Sequence, residues 1–242
     1  MRDSVLRALD AVIDPELDEP ITDLGFVRSV EVTGYDGESE ATGKYDVEVH
    51  LRLPTSFCAP NFAYLMASDA KDVLVELDWT RDVVVELDDH HDSDIINRGL
   101  AAGAGYRGTF RHEAEENLDE LRATFQRKAH TAAMERCLTA LLRTDPDRPV
   151  TALGEVRLRD LPVNHTTTSL LRRRMDIGLS SAADDLVMVD HAGAGYSPDA
   201  VPMALRRARS TRISIDGNAH FCRGLLRTRY PEMSLAGKEA QS

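Results

Sequence analysis

The chain has 242 residues, of which 42 % are hydrophobic, 29 % charged and 5 % aromatic, an ordinary globular composition with room for one or two domains. Its net charge of −12 is unevenly divided: up to Asp94 there are 23 Asp and Glu against 7 Lys and Arg, a balance of −16, while the remainder carries 18 against 22, or +4. The acidic half disfavours nucleic-acid binding, no apolar run approaches the roughly 20 residues of a membrane span, and the charges at Arg2, Asp3 and Arg7 break up any signal-peptide pattern, so a cytoplasmic location is expected.

Val5, Leu6, Leu9, Val12 and Ile13 fall on one helical stripe, and Pro15 is expected to end that helix by withholding a backbone donor. After a short acidic loop, Val30 and Val32 alternate with Glu31 and Thr33. Val47, Val49, Leu51 and Leu53 alternate with Glu48, His50 and Arg52, which gives two half-buried strands. The polar, glycine-rich segment from Gly34 to Gly43 joins them as a long hairpin connection. Pro60 suits the first turn of a second helix, carried by Phe62, Leu65, Met66, Ala70, Val73, Leu74 and Leu77, and Val83, Val85 and Leu87 mark a third strand. The order helix, strand, strand, helix, strand predicts a compact α+β domain over residues 1–94 whose apolar faces are sufficient for it to fold without the rest.

Cys58 sits where the second strand runs into the second helix. Unpaired N–H groups and partial positive charge at a helix N-terminus favour thiolate, and with it metal ligation or thiol chemistry. The plain alternative is a small apolar residue plugging the corner. The other cysteines, Cys137 and Cys222, complete an odd number without framework spacing, which fits a reducing compartment.

Three spaced elements, Asp14-Pro15-Glu16, Asp23-Leu24-Gly25 and Thr55 with Cys58, give residues 4–88 a resemblance to the PaaD/SufT family of iron–sulfur assembly domains. The chain departs from the family pattern in having Ala59 between Cys58 and the proline. The resemblance implies a non-enzymatic maturation factor with Cys58 as the functional residue, a transient ligand for iron or an iron–sulfur cluster delivered to a client metalloprotein. A dedicated factor for a di-iron oxygenase is a narrower form of the same reading. Asp14, Glu16 and Asp23 are candidate oxygen co-ligands beside the soft sulfur, or turn residues bonding nearby N–H groups. Thr55 would bond the thiolate or cap the helix, and Gly25 would supply a positive φ. A four-thiolate cluster needs four cysteines, so three that are not expected to converge imply labile binding, completed by carboxylates or histidine, by a homodimer or by the client. The contrasting readings are a metal-free interaction scaffold and a thiol-dependent enzyme. His50, the nearby candidate base for the latter, lies on the strand face away from the core.

Residues 95–242 read as a mixed, mainly helical region, a candidate client-recognition domain. A long helix is expected over Arg111–Arg143 with Cys137 on its core stripe, a short strand over Glu155–Leu161, a helix over Ser169–Ile177 closed by Gly178, and a strand over Leu186–Val189. Beyond these follow a helix from Ser197 to Arg207, a strand over Thr211–Ile215, a turn at Asp216-Gly217-Asn218 and a final helix bearing His220 and Cys222. Gly103-Ala-Gly-Tyr-Arg-Gly108 matches a dinucleotide fingerprint without the strand that should precede it. Ala102–Tyr106 recurs as Ala192–Tyr196, too few copies for a repeat architecture. His90, His91, Asp92 and Asp94 form a short His/Asp cluster at the domain junction, which could bind a metal transiently but reads rather as an exposed polar linker.

Overall fold

The computed structural model describes residues 1–34, 42–110 and 118–231. Two compact units divide them, one formed by Met1–Leu118 with Ala219–Ser242 and the other by Asp119–Asn218. No helix among the described residues is long and apolar enough to cross a membrane.

The first unit opens with α1 (Arg2–Leu9), which buries Val5 and Leu9. This helix stops at Asp10 rather than at Pro15. The β-branched Ile13 instead enters the two-residue strand β1 (Ile13–Asp14), paired antiparallel with β2 (Glu19–Pro20). A three-stranded sheet follows in the order β3 (Val27–Thr33), β4 (Tyr45–Arg52), β5 (Thr80–Asp88). β3 and β4 are antiparallel, with Val30 opposite Val49 and Val32 opposite Val47, and an irregularity between Val27 and Ser29. Most of the expected hairpin connection lies outside the described residues. β5 runs parallel to β4 through the crossover helix α2 (Pro60–Val75), as a parallel pair requires.

Alternation decides the two faces of the sheet. Val47, Val49, Leu51, Val83, Val85 and Leu87 are buried with Ala63, Met66, Ala70 and Leu74 of α2, while Glu48, His50, Glu86 and Asp88 fall on the other face. The expected helix–strand–strand–helix–strand order is present, with β1 and β2 added. The core also continues past residue 94: α3 (Ser93–Ala101) contributes Ile96 and Leu100, α4 (Gly105–Phe110) contributes Phe110, and Ala219 and Leu226 complete it. The His/Asp segment is correspondingly not a solvated linker, since His90 is buried and the chain enters α3 directly after Asp92.

The second unit is mainly helical. α5 (Leu118–Thr144) is one helix, and the first part of the helix expected from Arg111 lies outside the described residues. The strand expected over 155–161 is replaced by short 3-10 turns, Val150–Glu155 and Leu158–Asp160, and that expected over 186–189 by single bridges, Arg157 with Leu186 and Val189 with Gly195. α6 (His165–Asp176) ends as expected before Gly178, whose φ of 73° suits glycine. α7 (Val201–Arg229) is continuous, which corrects the strand at 211–215 and the turn at 216–218. Its residues to Asn218 belong to this unit and those from Ala219 to the first. Glu135, fully buried, accepts from Thr139, Arg209 and Arg212, while Asp216 accepts from Arg136 and Arg212. These bonds hold that stretch helical against its β-branched preference. Cys137 is buried, as expected of a core cysteine; its thiol donates to the Thr166 carbonyl at 3.6 Å, and burial pushes it up to about 11.

Candidate functional site

β4 delivers the chain to Leu53 and Pro54, both buried, and a turn from Thr55 to Ala59 leads into α2. The Thr55 hydroxyl accepts the Phe57 N–H at 3.1 Å, a local turn bond rather than a helix cap. Ala59 takes the N-cap position with ψ of 132°, Pro60 opens the helix, and Cys58 stands one residue before the cap. The inserted alanine therefore places the thiol outside the first turn.

Three residues, His90, His91 and Arg229, hold this turn. His90 Nε2 meets the Cys58 carbonyl at 2.9 Å, while its Nδ1 accepts the Asp92 N–H at 3.1 Å. That pair requires the neutral ring with its proton on Nε2, so His90 donates to the Cys58 carbonyl. The His91 N–H donates to the Ser56 carbonyl at 2.9 Å, and the His91 ring stacks on Phe57. Arg229, near the end of α7, donates to the Leu53 carbonyl at 3.1 Å and the Ser56 hydroxyl at 2.9 Å.

Cys58 is half-buried and lines a cavity of about 240 Å³. Asp14, Glu16 and Thr55 share that lining with apolar Leu17, Phe26, Leu53, Phe62 and Met66. Phe57, 81 % exposed, and Phe221, 65 % exposed, stand at the mouth. Asp14 is buried and accepts the N–H groups of Glu16 at 2.9 Å and Leu17 at 2.8 Å. Burial nevertheless pushes its carboxyl up to about 6, with the two N–H bonds opposing and the Glu16 charge adding. Burial likewise raises the Cys58 thiol, the Asp14 and Glu16 charges push the same way, and the Thr55 backbone bond and Arg229 charge only partly offset them. Burial and the two carboxylates therefore work against the thiolate that a helix terminus would favour. Asp23 is exposed and stands outside the cavity lining, whereas Gly25 adopts φ of 76° as expected of a glycine turn.

Residues 2–87 match the family model described as iron-sulfur cluster assembly protein. No curated protein and no solved structure matches the chain. The match covers the expected PaaD/SufT-like assembly domain, stops before α3, and supports a role in iron–sulfur cluster assembly. It leaves the rest of the cavity to be explained by the chain's own later residues.

Cys222 is the residue that sequence reasoning missed. It lines the same cavity as Cys58, with Phe221 and Leu225 beside it. Burial, followed by the nearby Cys58, Asp14 and Glu16, pushes its thiol up to about 11. A sequence signal existed: Val201, Leu205, Ala208, Arg212, Ile215, Ala219, Cys222 and Leu226 alternate by four and three, an unbroken inward stripe of α7. Reading a strand and a turn across it hid the stripe.

A second cluster lies on the outer sheet face, where His50, Glu86 and Asp88 present ligand atoms within 4.8 Å of one another. Two of its groups, His50 and Asp88, are already engaged. His50 bridges Asp88 and Glu48 at 2.9 Å each, Arg28 reaches Asp88 at 2.7 Å, and the Asp88 bond raises the imidazole's affinity for its proton. The cavity, by contrast, is lined by both soft sulfur, from Cys58, and hard carboxylate oxygen, from Asp14 and Glu16.

Proposed function

We propose that this protein is a maturation factor that holds iron or an iron–sulfur cluster transiently at Cys58 and passes it to a client metalloprotein. The observation that carries this reading is the half-buried Cys58 thiol sharing one cavity with Asp14 and Glu16 in a domain matched to iron–sulfur assembly. The cation is the cargo, and its binding displaces the proton of any thiol it takes as a ligand. Asp14 already spends one oxygen on two backbone N–H groups, which fixes the carboxyl and leaves the other oxygen for the cavity. An incomplete donor set suits release, because ligands of the client compete for the open positions. The role is non-enzymatic, Asp23 has no part in it, and the second unit is assigned to client recognition, a di-iron oxygenase being the narrower candidate client.

Anaerobic iron loading of the purified chain tests the reading. Wild type is expected to retain iron through gel filtration, and Cys58→Ser to lose most of it. Equal retention by the two would leave Cys58 as packing and favour a metal-free scaffold.

A further inference from the structure

The family match ends at residue 87, yet the cavity around Cys58 is also lined by Phe221, Cys222 and Leu225 of α7. That segment is firmly placed. Ala219 and Leu226 are buried in the same core as α2 and the sheet, and Arg223 pairs with Glu19 of β2. Arg229 grips the carbonyl of Leu53 and the hydroxyl of Ser56, and Tyr230 donates to Asp89 at 3.1 Å while Arg52 lies over its ring at 4.7 Å. Cys222 falls between Ala219 and Leu226 on the inward stripe, so its direction is set by both neighbours. Both cysteines follow an exposed phenylalanine at the cavity mouth, both are free, and both are half-buried.

We propose that Cys222 is a second thiol ligand, so that one copy of this chain offers two sulfurs, Cys58 and Cys222, to a thiophilic divalent cation in the cavity that both line. The inference rests on the proposed metal-handling role of Cys58 and specifies how it is carried out. Two sulfurs from one chain remove the need for a second copy to supply the other thiol. They also leave fewer than four, so a cluster is completed only with ligands from outside and the cargo stays exchangeable. A thiophilic ion prefers this pair to the His50, Glu86 and Asp88 group, which offers no sulfur.

Anaerobic Co²⁺ titration of the full chain reads the ligands directly, because each cobalt-bound thiolate adds sulfur-to-metal charge-transfer absorption. Wild type and the core control Cys137→Ser are expected to show the full band, Cys58→Ser and Cys222→Ser each about half, and the double variant none. Circular dichroism of each variant confirms the fold, and Cys222→Ala provides a second replacement if serine unfolds the protein. A full band in Cys222→Ser and Cys222→Ala with loss in Cys58→Ser overturns this inference and leaves the role of Cys58 standing. A wild-type protein that binds Co²⁺ with no sulfur band overturns both.

Discussion

Asp14 shows how a single side chain serves both a turn and a cavity. Its carboxyl ties down the Glu16 and Leu17 N–H groups, so Asp14→Ala leaves two donors without that acceptor and is expected to lower stability by about 1–3 kcal/mol in urea unfolding. Asp14→Asn keeps an oxygen for those bonds and removes the charge. It should therefore unfold near the wild-type midpoint yet hold iron less tightly, and equal losses in both properties would reduce Asp14 to a turn residue. The turn role was legible in the residue type, whereas the burial of Asp14 beside Cys58 was not, because it depends on β1 and the later helix meeting α2. His130, in the second unit, makes a separate prediction. It is 1 % exposed, and burial, with the Arg174 charge adding, pushes its imidazole down to about 4. The unfolded chain binds a proton near pH 6.5 and the folded one does not, so stability falls as pH drops from 6.5 towards 4, by roughly 3 kcal/mol in all. His130→Phe should flatten that part of the stability curve, and an unchanged curve would show that other groups set it.

At the scale of elements, strict alternation and clean helical stripes made the assembly domain readable. Val47, Val49 and Leu51 had no other periodicity to offer, and the sheet register followed. α7 was misread because Thr211, Ile213 and Ile215 favour strands locally and Gly217 favours a turn, while the restraints that override them, Glu135 with Arg209 and Arg212, join residues 74 and 77 positions apart. Ala102–Tyr106 and Ala192–Tyr196 illustrate the same limit. One spans the junction between α3 and α4, and the other turns beside a single bridge, so equal sequences fold according to their surroundings. Two packing predictions belong here. A Cβ on Gly99 would overlap the Thr109 side chain where α3 meets α4, so Gly99→Ala is expected to cost about 1–3 kcal/mol. Leu226→Ala empties a fully buried site in the assembly domain's core and should cost about 2–5 kcal/mol, read as a lower denaturation midpoint. A neutral Leu226→Ala would mean that the end of α7 is not seated as described.

For the whole molecule, the charge contrast and the residue-94 division pointed to an acidic assembly domain followed by an appended region. The structure adds that the first unit takes back the chain's later residues from Ala219. A fragment ending at residue 110 lacks Ala219, Leu226 and Arg229, and is expected to unfold at lower denaturant than the first unit does in the full chain. An identical midpoint would mean that the assembly domain is complete without them. The donor set around Cys58 remains the central claim, and iron K-edge X-ray absorption on the iron-loaded full chain tests it most directly. Sulfur scatterers beside oxygen in the first coordination shell, lost or halved in Cys58→Ser, are the expected result. A shell of oxygen and nitrogen alone in the wild-type protein would contradict it.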